Sequence, residues 1–136
     1  MIVQFFVAMT PVGKARARVT RRGTYTPQKT LDAERLIGWA CKKAMAGRKP
    51  LEGPVRLDWV AWFPIPKSWS KKKAELAIWH IVKPDRDNIE KCLSDALKGI
   101  AWVDDSQVCC GEPQKRYAWP GEQEPGLSIK IQEAAA

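Results

Sequence analysis

The sequence predicts one α/β or α+β domain over residues 1–136, a mixed β-sheet with helices packed against it, and three observations carry that prediction. The apolar period changes along the chain, from the alternation of PVRLDWVAWF at 54–63 to the i, i+3, i+4, i+7, i+8 spacing of Ile89, Cys92, Leu93, Ala96 and Leu97. Strand-like and helix-like segments take turns instead of forming separate blocks. A chain of 136 residues has volume for a single core, and no internal repeat or low-complexity linker divides it.

Met1 to Met9 (MIVQFFVAM) reads as the first strand; it lacks the positive start and small-residue cleavage site of a signal peptide, so a cytoplasmic protein is expected. Thr10 to Thr30 holds six Lys and Arg and no acid: Lys14, Arg16, Arg18, Arg21, Arg22 and Lys29. In an extended segment the alternation of Lys14, Arg16 and Arg18 puts three cations on one side, suited to phosphate. Leu31 to Met45 has a helical period and is ended by Gly47 and Pro50. Pro54 to Phe63 is a second strand, closed by Pro64 and Pro66. In KSWSKKKAELAIWH, Lys67, Lys71, Lys72 and Lys73 surround Trp69 ahead of a short helix. Trp69 is expected to be exposed and able to stack on an unpaired base while the lysines hold phosphates; most of the seven tryptophans are expected in the core. His80, the single histidine, is expected in a strand and not at a metal. A helix follows over about Asn88 to Lys98, with Pro84 disfavouring helix before it, Asp87 or Asn88 as cap and Gly99 as its left-handed end. Ile100 to Val103 is a short apolar return, Val108 to Trp119 and Leu127 to Ile131 are the last strands, and Glu133 to Ala136 is a frayed tail.

The net charge of +8 points to an anionic partner, nucleic acid first. Membrane attachment is not expected, because no stretch approaches a bilayer-spanning length and no basic amphipathic helix is evident. Cys41, Cys92, Cys109 and Cys110 contain no Cys-x-x-Cys pair; they read as reduced, small buried hydrophobes and not as zinc ligands.

Against this basic background, Asp85, Asp87, Asp104 and Asp105 stand at the two ends of one short amphipathic helix. If the second pair folds back to the first, three convergent aspartates suit Mg²⁺, with Mn²⁺ as a substitute. In phosphodiester cleavage such a cation activates water and stabilises the leaving oxygen, and Lys91, one turn into the helix, is placed to neutralise charge at phosphorus. Asn88, Lys91 and Asp95 share the polar face. The other reading is a non-catalytic basic DNA-binding protein whose acids cap a helix and line a turn.

KPDRDN, Lys91 four residues after Asp87, DALKG and WVDDSQV together resemble the RusA-type crossover-junction (Holliday-junction) endodeoxyribonucleases of bacteria and their phages, in order and nearly in spacing. Weaker echoes lie in KARAR, in Tyr25 to Lys29 and in PKSWSKKK; Ala17 stands where the family commonly has proline. The resemblance implies a junction-resolving nuclease acting as a homodimer, with Asp85, Asp87 and Asp105 as metal-binding catalytic acids and Lys91 as their helper. Asp104, Asn88 and Asp95 are then supporting neighbours. Because the length between Asp95 and the acidic pair varies in the family, Asp104 stays open as the alternative to Asp105.

Overall fold

The computed structural model describes residues 1–135. Its elements are β1 (Ile2–Ala8), β2 (Arg18–Thr20), β3 (Gly23–Tyr25), α1 (Gln28–Met45), β4 (Val55–Pro64), α2 (Lys71–Glu75), α3 (Arg86–Leu97), a 3-10 turn (Asp105–Gln107), β5 (Val108–Cys110), β6 (Pro113–Ala118) and β7 (Gly126–Glu133). The main sheet runs β1-β7-β4-β5, with β6 also paired to β4. β7 is antiparallel to both β1 and β4, whereas β5 and β6 lie parallel to β4, so the sheet is mixed as the alternating pattern predicts.

Alternation sorts β4 into two faces: Val55, Leu57, Trp59, Ala61 and Phe63 are buried, and Arg56, Asp58, Val60 and Trp62 are half-exposed. The buried face continues through Leu127, Ile129 and Ile131 of β7 and Val3 and Val7 of β1, and α1 and α3 complete the core on that side. The stripe of α3, Ile89, Cys92, Leu93, Ala96 and Leu97, is buried as its spacing predicts. A parallel β4–β6 pair needs a crossover connection, and α3 supplies it. Trp59 Nε1 donates to Glu90 Oε1 at 3.0 Å, fixing the rotation of α3 over the sheet.

Several details depart from expectation. The basic segment is not simply extended: β2 and β3 form a separate hairpin, with Arg21 and Arg22 at its tip. Val108 to Trp119 is two strands, because Gly111 (φ 142°) lies so close to β4 that a Cβ there would strike the Leu57 carbonyl oxygen. β7 reaches Glu133, and Ala134 N still donates to Pro54 O at 2.9 Å; of the expected frayed tail, Ala136 lies outside the described residues. Cys41 and Cys92 are buried, but Cys109 and Cys110 are exposed, so their reading as buried hydrophobes is corrected. Only Trp59 and Trp102 of the seven tryptophans are buried. No helix among the described residues is long and apolar enough to cross a membrane.

His80 sits in a strand-like edge segment beyond β6, its N–H donating to Lys115 O at 3.1 Å. Its ring stacks on Phe63 at 3.6 Å and meets Tyr117 edge-on, and Nδ1 is buried without a partner. Burial, helped by the Lys115 charge, lowers its pKa to about 4. The unfolded chain, with a histidine pKa near 6.5, therefore binds more protons than the fold between those values. This contribution is fully present above about pH 6.5 and is lost as pH falls toward 4. Urea unfolding at about pH 7 and about pH 4.5 should show wild type losing stability on acidification and His80→Phe losing less. Parallel losses in the two proteins would show that His80 is not the group responsible.

Candidate active site and nucleic-acid surface

KPDRDN folds into the start of α3. The Lys83–Pro84 bond is cis, Asp85 is the N-cap residue with extended backbone, and its carbonyl accepts from Ile89 N at 3.1 Å. The Asp85 side chain makes no capping hydrogen bond, and Asp87, in the first turn, is exposed. Neither Asp87 nor Asn88 is the cap, contrary to expectation. An acid retained only for capping would bond the free N–H groups of the first turn, so the capping reading loses its support at Asp85. The loop before the hairpin packs against this turn: Lys14 N donates to Asn88 O at 2.9 Å, and a Cβ on Gly13 would come within 2.9 Å of Pro84 Cβ. Lys91 is exposed one turn on and has no ion pair among the described residues.

WVDDSQV closes the other end of α3. Asp104 caps the 3-10 turn, accepting from Ser106 N at 3.2 Å and from the Ser106 hydroxyl, while Gln107 Oε1 accepts from Asp104 N at 2.7 Å. Gln107 Nε2 ties the turn to Leu51 O and Gly53 O at 2.8 and 2.9 Å. Lys98 Nζ stands 3.4 Å from Asp104, and the Ser106 bonds, followed by Lys98, hold that carboxyl below the usual carboxylate range. Asp105 is different. It is half-buried, and its Oδ1 accepts from the buried indole of Trp102 at 2.9 Å, which aims the carboxylate and leaves Oδ2 without a hydrogen bond among the described residues.

The two acidic pairs do not converge within one chain. Asp85 precedes Arg86 and Asp104 is bound to Lys98, so the twelve residues of α3 separate them, about 18 Å at 1.5 Å per residue. Among the described residues no group of three or more His, Cys, Asp or Glu stands close enough to share a metal ion. The expected fold-back is thus corrected: a rigid helix holds the acids apart. Asp85 and Asp87 fit Mg²⁺ as two oxygen donors completed by water and phosphate oxygens; Asp105 does not join them in the same chain.

The cations sort into two kinds. Arg16, Arg18, Arg21 and Arg22 are exposed, the last three on the hairpin, and Lys67, Lys71, Lys72 and Lys73 are exposed around α2. Lys14 is held between Glu34 and Asp95, 2.8 Å from each, and the Asp95 bond, then that of Glu34, raises its pKa. That ties Asp95 to the α1 side and engages Lys14 as a strut between α1 and α3. Trp69 is half-buried, edge-on to Tyr117 and covered by Lys73 at 4.2 Å, so it anchors the loop instead of standing exposed. Sequence reasoning missed Lys115: its Nζ donates to Val82 O at 2.7 Å, and burial lowers its pKa while the nearby Asp85 charge opposes the shift. Its place depends on the β4–β6 pairing, which no local pattern announces. Lys14→Ala should cost about 1 kcal/mol of stability, and Arg16→Ala much less, by chemical denaturation. Equal and negligible losses would return Lys14 to the DNA-binding set.

The family described as endodeoxyribonuclease RusA matches residues 8–132. A protein of Bacillus subtilis strain 168 named "Uncharacterized protein YqaN" is 37% identical over 92 residues, 63% of this chain and 62% of that protein. The sequence motifs, the mixed α+β fold and a match over nearly the whole chain agree, and the chain belongs to the RusA endodeoxyribonuclease family.

Proposed function

We propose that this protein is a Mg²⁺-dependent, structure-selective DNA endonuclease that resolves four-way (Holliday) junctions by paired nicks, acting in the cytoplasm as a homodimer, with Mn²⁺ as a substitute. The observation that carries this reading is that Asp85, Asp87 and Asp105 hold carboxylate oxygens the fold leaves unused, on a chain of net charge +8. Acids on a phosphate-binding surface weaken binding unless a cation neutralises them. Asp85 and Asp87 would hold the ion, with Asp105 from a second copy. A bound Mg²⁺ supplies water activation and charge neutralisation at the cleaved phosphate. Lys91 approaches the non-bridging oxygens and stabilises charge developing there. Exposed Arg16 and the hairpin arginines, with Lys67 and Lys71 to Lys73, bind flanking phosphates.

Two independent arguments favour the dimer. A two-fold symmetric junction needs two cuts, and a shared site would bring one protomer's Asp105 to the other protomer's Asp85 and Asp87, a grouping of three acids that a single chain lacks among its described residues.

Synthetic junctions with Mg²⁺ or chelator test the activity. Asp85→Asn, Asp87→Asn and Asp105→Asn should each lower cutting by several orders of magnitude while gel-shift affinity survives, and Lys91→Ala should lower it about 10² or more without unfolding. Normal cutting by all three Asp variants would end the assignment. Mixing Asp87→Asn with Asp105→Asn protein and re-equilibrating should restore single nicks, because a mixed dimer has one intact site. Two inactive partners that stay inactive as mixed dimers would show that each chain builds its own.

A further inference from the structure

The face of the sheet opposite α1 and α3 carries a row that the nuclease reading does not use. Trp62 of β4 is paired in register with Arg116 of β6, and Arg116 is bridged in turn to Trp79 of the edge segment, so three neighbouring strands place three side chains side by side. The Arg116 guanidinium lies 5.6 Å from the Trp62 ring and 4.8 Å from the Trp79 ring. Trp62 is locked from beneath, its Nε1 donating to Ser128 Oγ at 3.0 Å, and Phe6 extends the row, its ring lying over Gly126, the register partner of Trp62. The outermost ring, Trp79, is 56% exposed.

Fold stability does not ask for this arrangement. An exposed indole on an edge buries little apolar area, and the guanidinium beside it makes no ion pair among the described residues. The arrangement does present an exposed indole, Trp79, backed by a cation, which suits a planar, electron-rich, unpaired nucleobase attached to a phosphate chain. In sequence, Trp79 lies six residues before Asp85, and Lys115, whose side chain leaves β6 on the opposite face from Arg116, reaches Val82 O between them, so the row and the Asp85 end of α3 lie on opposite faces near the same sheet edge.

Resting on the proposed function, we infer that Trp79, backed by Arg116 and Trp62, is a stacking platform that takes an unpaired base of branched or single-stranded DNA. It deepens that reading by naming which part of the substrate this face holds. Paired duplex offers no free base face, so the platform discriminates unpaired from paired DNA.

The test compares Trp79→Ala and Trp79→Phe in the full chain, with affinities for a poly-dT oligonucleotide, a four-way junction and a blunt duplex, and dimer content by light scattering. Trp79→Ala should weaken oligonucleotide binding about ten-fold and junction binding in the same sense, while duplex affinity holds; Trp79→Phe should restore most of the loss. Equal weakening on all three DNAs, or none, overturns the platform. A Trp79→Ala protein that falls to monomer also overturns it, by assigning the row to a second copy. Wild type that cuts junctions while Trp79→Ala binds oligonucleotide normally removes the platform alone; wild type that binds no DNA removes the proposed function with it.

Discussion

The burial of α3 is the constraint on which the rest of the molecule depends. Ile89, Leu93 and Leu97 are fully enclosed, each contributing about 1.5–3 kcal/mol by area, and the Trp59–Glu90 bond prevents the helix from rolling. A helix so clamped is a rigid spacer. It holds Asp85 and Asp87 at one end and Asp105 at the other, and no side-chain rotation spans about 18 Å. Packing and chemistry are thereby linked: the apolar stripe that stabilises the fold also denies one chain a three-carboxylate site. On the shared-site reading, assembly becomes a condition of chemistry, and a lone protomer on duplex DNA carries only a partial site.

Charge is distributed in keeping with that arrangement. The strongly basic segments, the hairpin arm and the α2 loop, are held to the body by small anchors: Lys14 N on Asn88, and Trp69 against Tyr117. Their exposed cations attract phosphate by releasing counterions, a term that falls with salt and is indifferent to sequence. Lys14 differs from them, because two carboxylates at 2.8 Å pair with it and join α1 to α3.

Much of this was legible. The period of α3 and the alternation of β4 gave both elements and their buried faces, because period follows directly from which side must pack. The separation of the acids was not legible: the residues after Lys98 are numerous enough to run back along a twelve-residue helix, and only the non-local ties of the turn to Leu51 and Gly53 keep Asp104 and Asp105 at its far end. The exposed tryptophans were harder. Composition sends tryptophan inward, yet Trp59 and Trp62, three apart on one strand, must face opposite ways, and only the sheet reveals that the second face is uncovered. Lys115, Arg116 and Trp79 meet through non-local pairing, which leaves no local trace. Trp69 misled because its neighbours in sequence are polar while its neighbour in space is Tyr117.

Asp104 and Asp105 show why adjacent identical residues need not share a role. The tight turn after Trp102 requires an acceptor for its leading N–H groups, and Asp104 provides it, with Ser106 and Gln107 completing the cap and Lys98 balancing the charge. Asp104 Oδ2 takes both Ser106 bonds that hold the turn, and Oδ1 faces the Lys98 ammonium at 3.4 Å. Asp105, one residue further, receives a single neutral donor from a buried indole, enough to fix its direction but not to saturate it. Asp105 is thus aimed by one neutral bond, whereas Asp104 is engaged by the turn and by a lysine. The spacing of the motif has a structural reason: Trp102 orients Asp105, and Asp104 and Gln107 clamp the turn between them.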